Sequence, residues 1–259
     1  MEFIQPTIQF FLVIHELESP PITFLDFERR NHQVRISSSI IHTQRSFRGY
    51  QKISFALFHY GTMATIATAK AATRQEIVEK LKTLTTEEKQ RQCKIVLEKL
   101  LNLPSFQNCK RVSTYLSIDN EIDTEPIVRH IFETGKECFV PRYSKAGMQM
   151  VKLSSMNDWE TLPVTSWGIK QPRLKDERDD ALETGGLDFI VVPGVGFTAN
   201  GLRLGHGGGY YDKFMTKVKA SQEVPPALVG LAFNEQVLEE LPVTECDVQI
   251  DRVLYADSQ

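Results

Sequence analysis

Apolar residues recur at helical spacing from residue 71 onward. Between Ala71 and Leu84 they fall at Ile77, Val78, Leu81 and Leu84, a stripe that predicts an amphipathic helix. Thr85 with Glu88 three residues on has the form of a capping box. It predicts a second helix with Cys93, Val96, Leu97, Leu100 and Leu101 on one face, ended by Pro104. Arg111 to Ser117 alternates around Val112, Thr114 and Leu116 and predicts a strand. Thr124 predicts the cap of a helix with Pro126 in its first turn and Gly135 as its stop. Cys138 to Val140 predicts a short strand ended by Pro141, and Met148 to Leu153 another. Leu187 to Val192 is apolar apart from Asp188, the pattern of a strand covered on both faces. Tyr210 to Val218 predicts a helix, and Ala227 to Phe233 and Arg252 to Tyr255 two further strands. Strands alternating with helices indicate an α/β domain around a largely parallel sheet. The charged stretch from Lys170 to Glu183 predicts a surface excursion.

Residues 1–62 show no sustained period. No acidic residue lies between Glu28 and Glu76, while Arg29, Arg30, Arg35, Arg45, Arg48, Lys52, Lys70 and Arg74 do. That composition is that of a mitochondrial transit segment, but five acids within residues 2–28 argue against one that starts at the N-terminus. The expectation is an N-terminal extension over residues 1–68, disordered or targeting, followed by a catalytic domain over residues 69–259. The run that opens at Met63 has the look of a protein start, so a form beginning there is expected to be fully active.

With 259 residues, 41% hydrophobic and 24% charged, the chain has the composition of an ordinary globular protein, which excludes collagen, coiled coil and chain-wide disorder. The net charge of -3 supplies no basic excess to hold a phosphate backbone, so nucleic acid is not an expected partner. No stretch approaches the roughly 18 consecutive apolar residues that span a bilayer. The four cysteines make no C-x-x-C pair and have no histidine at zinc-finger spacing, so they read as reduced thiols.

The stretch from Pro193 to Asp212 carries the chemistry. It follows a buried strand and precedes a helix, the edge of an open α/β sheet where ligands sit. Seven glycines fall between Gly194 and Gly209, which leaves backbone amides unshielded by side chains. Successive amides at a helix N-terminus form an anion cradle, and Arg203 and His206 add donors. The alternative is a structural turn with Tyr210 and Tyr211 packed as core. Beside a polyphosphate, Asp212 becomes a candidate magnesium ligand, with Asp247 or Asp251 as its partner.

Read as R-L-G-H-G-G-G-Y-Y-D after P-G-V-G-F, Arg203 to Asp212 resembles the signature of the 5-formyltetrahydrofolate cyclo-ligase family. The resemblance extends to Lys70–Arg74, to Leu116 and Ser117 with Glu121–Thr124, to Pro141-Arg142-Tyr143, to Thr165–Ile169 with Gln171-Pro172, and to the tail from Pro242 through Asp251. It implies a three-layer α/β sandwich similar to phosphosugar isomerases and CoA transferases. It also implies ATP-dependent closure of 5-formyltetrahydrofolate to 5,10-methenyltetrahydrofolate with ATP and Mg2+. Lys70, Arg74, Arg203, Leu204, Gly205, His206, Gly207, Gly208, Gly209, Tyr210 and Tyr211 would hold ATP, and Asp212 and Asp247 the metal, with Asp251 structural. Leu116, Glu121, Tyr143 and Trp167 would hold the folate. No covalent enzyme nucleophile is required. The implied partners are small molecules only, the implied state a monomer, and the compartment the cytoplasm, or mitochondria if the extension is a transit segment. Many relatives carry basic residues at His206 and Gly208. Gly208→Lys is therefore expected to tighten ATP. Another enzyme on the same scaffold, and a folate-binding protein without activity, stay open on the sequence.

Overall fold

The computed structural model describes residues 65–165 and 168–258. Residues 65–82 form α1, so the helix is already under way upstream of Ala69. Thr86–Leu101 is α2. Thr85 Oγ1 accepts from Glu88 N at 3.2 Å, but the Glu88 carboxylate is taken by Arg91 and Gln92, so only one half of the capping box forms. Pro104–Asn108 is α3, because proline at a first helical turn starts a helix as readily as it ends one.

Arg111–Ser113 is β1, shorter than the alternation suggests. Beyond it the chain turns into a loop stitched by Thr124, whose hydroxyl donates to Tyr115 O at 2.7 Å. Its hydroxyl oxygen accepts from Ser117 N at 3.2 Å rather than capping α4, Glu125–Glu133, and Asp123 Oδ1 accepts from Glu125 N at 3.0 Å instead. Glu137–Ser144 is β2 and Gly147–Leu153 is β3. Thus β2 does not stop at Pro141. Its parallel pairing with β1 ends at Phe139, so the missing N–H of Pro141 falls where no neighbour needs it, and the antiparallel ladder with β3 continues to Ser144.

Met156–Glu160 is α5, Phe189–Val192 is β4, Gly196–Thr198 is β5, Arg203–Leu204 is β6 and Tyr210–Ser221 is α6. Ala227–Leu231 is β7, Val237–Leu238 is β8 and Arg252–Leu254 is β9. The main sheet runs β3-β2-β1-β4-β7-β9, parallel throughout except for β3. A smaller sheet, β6-β5-β8, carries the glycine-rich hairpin. The mixed, mostly parallel sheet with helices packed on it is the α/β arrangement the alternation implies, with α2 against β9, α4 against β2 and α6 against β3. All four residues of β4 are buried, and Phe189 meets Phe106 edge-on at 5.2 Å. The 170–183 stretch is less superficial than its charge suggests. Asp180 and Ala181 are buried, because Ala181 N bonds Met150 O at 2.8 Å and Lys152 N bonds Asp179 O at 2.9 Å along the open edge of β3.

Two contacts fix the parts that later carry the site. A β-carbon on Gly196 would lie 2.5 Å from Ile77 Cδ1, so the absence of a side chain there lets α1 pack directly on β5. The buried Gln236 donates to Gly194 O and Val195 O at 3.0 and 3.1 Å, clamping the turn after β4.

Lys99 on α2 closes the fold at its other end. Its ammonium donates to Tyr255 O at 3.1 Å, Ala256 O at 2.9 Å and the Ser258 carbonyl, tying down the C-terminal segment. Lys99→Met should lower stability by about 1–3 kcal/mol, since hydrogen bonds to a charged group are the stronger kind. A urea midpoint equal to wild type would contradict this.

Candidate active site

Strand β1 is the switch point of the main sheet. The chain leaves it through α4 to β2 on one side, while its other neighbour, β4, leads on to β7 and β9. Ligands in such sheets bind in the crevice at the carboxyl ends of the strands where the order reverses. A cavity of about 630 Å³ lies there. Tyr115 and Leu116 reach it from the end of β1, Pro193 from the end of β4, and Pro141 and Tyr143 from the outer half of β2. Lys70 and Arg74, one turn apart on α1, face the same space. So do Glu121, the run from Arg203 to Asp212, and Asp247. Every candidate named from the sequence borders this cavity except Asp251, which is placed elsewhere, and Trp167, which lies outside the described residues. Ala67, Tyr115, Ile118, Pro141, Ile169 and Pro193 border it too and were not singled out. Of these, Pro141 and Ile169 belong to noted motifs and Tyr115 sits next to one, whereas nothing in the local pattern marks Ala67 or Ile118. Arg142 points the other way, as its position in a strand requires. It is buried against Asp176 O at 2.8 Å and Gln149 Oε1 at 3.1 Å.

The charged groups are already organised. Arg203, 5% exposed, donates from Nη2 to Asp212 Oδ1 at 2.6 Å and from Nη1 to Pro193 O at 3.3 Å. Val248 N also donates to Asp212 Oδ1, at 3.1 Å. Lys70 Nζ donates to Asp247 Oδ2 at 2.5 Å, and that oxygen also accepts from Thr244 N at 2.6 Å and Thr244 Oγ1 at 2.8 Å. Burial alone would raise the pKa of Asp247, but the Lys70 ammonium and the two Thr244 donors outweigh it and hold the carboxyl below its ordinary value. Arg74 Nε donates to Gly205 O at 2.8 Å, so it anchors the glycine loop through the backbone. His206 Nε2 lies 3.4 Å from Glu121 Oε1, and Glu121 Oε2 accepts from Ile118 N at 3.2 Å.

The two carboxylates suit a hard cation. Among the described residues no hydrogen bond reaches Asp212 Oδ2 or Asp247 Oδ1. No group of three or more acidic, histidine or cysteine side chains is gathered there into an all-protein cage. One or two carboxylates completed by phosphate oxygens and water is how magnesium is usually held. Asp251 has a different place: its Oδ2 accepts from Leu228 N at 2.7 Å, linking β7 to the approach of β9.

The loop between β6 and α6 is built on backbone. Gly207 has φ of +108° and Gly209, the N-cap of α6, has φ of +65°, conformations that side chains disfavour. No side chain caps α6, so its first-turn amides keep their hydrogen-bonding capacity. Gly208 differs from what its family position suggests. A β-carbon there would lie 2.8 Å from Tyr210 Cδ2, and the Tyr210 ring rests edge-on against Tyr143 at 5.1 Å. A lysine at 208 would have to push that ring aside, so any tightening of ATP would be opposed by the loss of this contact. Burial raises the phenol pKa of Tyr143, with the Glu121 carboxylate acting in the same direction.

A model of the 5-formyltetrahydrofolate cyclo-ligase family matches residues 66–256. The chain belongs to this family. Among curated relatives, the 5-formyltetrahydrofolate cyclo-ligase of Mus musculus is 44% identical over 196 residues, covering 75% of this chain and 97% of the relative. The probable 5-formyltetrahydrofolate cyclo-ligase of Caenorhabditis elegans is 41% identical, with 74% and 95% covered. Among solved structures, the Aquifex aeolicus 5,10-methenyltetrahydrofolate synthetase superposes with a TM-score of 0.61 at 31% identity, covering 73% of this chain and 91% of that one.

For a cyclo-ligase family member, the depressed pKa of Asp247 has a measurable consequence. A carboxyl with a lowered folded-state pKa stabilises above its unfolded pKa and loses that contribution as pH falls through the folded value. Urea midpoints of wild type and Asp247→Asn should therefore differ at neutral pH and converge as the pH drops below about 4. A gap that does not change with pH would contradict the Lys70–Asp247 pairing.

Proposed function

We propose that the chain converts 5-formyltetrahydrofolate and ATP to 5,10-methenyltetrahydrofolate, ADP and phosphate. The observation that carries this reading is the cavity at the β1/β4 switch point. One side of it is a backbone loop with paired carboxylates and cations, and the other an apolar and aromatic wall with one carboxylate. Family membership supports the same reading.

A formyl oxygen bound to carbon is a poor leaving group. The lone pair of that oxygen forms a bond to the γ-phosphorus, the bond from that phosphorus to the bridging oxygen breaks, and ADP departs. The nitrogen at position 10 then forms a bond to the activated carbon. The carbon–oxygen bond breaks, phosphate leaves carrying the former formyl oxygen, and the nitrogen proton passes to solvent. Catalysis of this kind rests on positioning and charge stabilisation.

The amides of Gly205, Gly207, Gly208 and Gly209 hold phosphate oxygens, with Leu204, His206 and Tyr210 walling that half. Arg74 keeps the loop in place through Gly205 O. Lys70 and Arg203 supply positive charge and orient Asp247 and Asp212. Magnesium, held by the free oxygens of Asp212 and Asp247, would neutralise phosphate charge. Leu116 and Tyr143 pack on the flat folate, and Glu121 takes its polar edge. Trp167 keeps its expected folate role. The partners are reduced folate and ATP alone, acting on a monomer; no described helix is long and apolar enough to cross a membrane. The compartment is the cytoplasm, or mitochondria if the first 68 residues act as a transit segment.

Mixing the protein with formylfolate, magnesium and ATP should produce the near-ultraviolet band of the conjugated methenyl product. With oxygen-18 in the formyl group, the label should appear in the released phosphate. Label in water instead would refute activation at that oxygen, and no band at all would refute the cyclisation. Asp212→Asn should lower kcat about a hundredfold or more while leaving formylfolate affinity within about threefold. Equal loss of turnover and formylfolate binding would contradict a metal role.

A further inference from the structure

Two contacts join the glycine-rich loop to the opposite wall of the cavity. His206 Nε2 lies 3.4 Å from Glu121 Oε1, and the Tyr210 ring stands edge-on to Tyr143 at 5.1 Å, with 75° between the ring planes. His206 lies between β6 and α6 and Tyr210 opens α6, whereas Glu121 follows β1 and Tyr143 is on β2. All four residues border the cavity, so both contacts cross the seam between its nucleotide and folate halves.

Tyr210 has a divided place at that seam. As the first residue of α6, it contributes its amide to the backbone cradle with which the sequence groups it. Its side chain leaves the cradle and meets β2 instead. The residue is 41% exposed even with Tyr143 against it. An edge-to-face pair leaves each ring at least one free face, and a free aromatic face in a cavity suits a flat ring system.

Gly208 sets where that ring can lie. A β-carbon at 208 would fall 2.8 Å from Tyr210 Cδ2 and 2.9 Å from Tyr210 Cε2, well inside the roughly 3.5–4.0 Å at which carbon atoms pack. Gly207 and Gly209 have positive φ and Gly208 does not, so the backbone at 208 accepts a side chain. Glycine is required there by the Tyr210 ring and not by the turn.

We propose that Gly208 is a positioning residue for the folate. It leaves the space in which the Tyr210 ring seats against Tyr143, and the two rings form the aromatic corner on which the ring system of formylfolate lies. This rests on the cyclisation proposed above and deepens it, because position 208 becomes a determinant of folate affinity although its own amide faces the phosphates. A side chain at 208 acts through the Tyr210 ring, across the seam from the nucleotide.

Calorimetry of the full chain with formylfolate, in the absence of ATP, reads the folate half alone. Gly208→Ala adds one methyl group and should weaken formylfolate binding about tenfold, as should Tyr210→Ala. The double variant should bind within about twofold of Tyr210→Ala, because with the ring gone the methyl group has nothing to displace. With formylfolate saturating, the ATP KM of Gly208→Ala should stay within about twofold of wild type. Three results would overturn the proposal: unchanged formylfolate affinity in Gly208→Ala, losses that simply add in the double variant, or a raised ATP KM in place of the weakened formylfolate binding. A Gly208→Ala chain that melts well below wild type would overturn it too, since the glycine would then serve the fold. Wild-type protein that does not bind formylfolate at all would end both this proposal and the cyclisation reading, whereas additive losses around a wild type that does bind end this proposal alone.

Discussion

Two cation–carboxylate pairs organise the cavity. Arg203 with Asp212 joins the β5–β6 hairpin to the first turn of α6, and Lys70 with Asp247 joins α1 to the segment before β9. Both pairs are part-buried, so removing one partner would leave its charge poorly compensated at the junction of two segments. Each pair occupies one oxygen of its carboxylate, and among the described residues no hydrogen bond reaches the other. The same bonds that join these segments thus leave one acceptor on each carboxylate for the magnesium proposed above. The positive charge of Lys70 and Arg203 is already balanced without ligand, so the cavity offers directed contacts rather than a bare excess of charge.

The sheet supplies the rigidity behind these pairs. The chain turns outward on both sides of the β1–β4 boundary, so the ends of two adjacent strands open a crevice. Gly196 lets α1 sit against β5 at core distance, and Gln236 clamps the turn after β4. A glycine-rich loop at the end of such strands is flanked by elements that packing and hydrogen bonds hold in place.

Local periodicity and turn chemistry were readable where the residues act on near neighbours. The stripe in α1, the Thr85 cap, the buried β4 and the helix after Gly209 all follow from spacing alone. What escaped depends on partners distant in sequence. Pro141 sits inside β2 because β1 has already ended beside it. Thr124 fails as a side-chain cap because its hydroxyl is held between Tyr115 O, to which it donates, and Ser117 N, from which it accepts. The 170–183 stretch turns inward because β3 has an edge to offer. In the site, the residue types were legible from the motifs, but their pairing was not. Lys70 and Asp247 are 177 positions apart, and the effect of a side chain at Gly208 depends on where Tyr210 lies.

The central claim is that the backbone of residues 205–209 grips the phosphates of ATP. Amide hydrogen exchange with and without a non-hydrolysable ATP analogue and magnesium tests it most directly. The account predicts slowed exchange across residues 205–212. Unchanged exchange there, with protection appearing in another part of the chain, would contradict it.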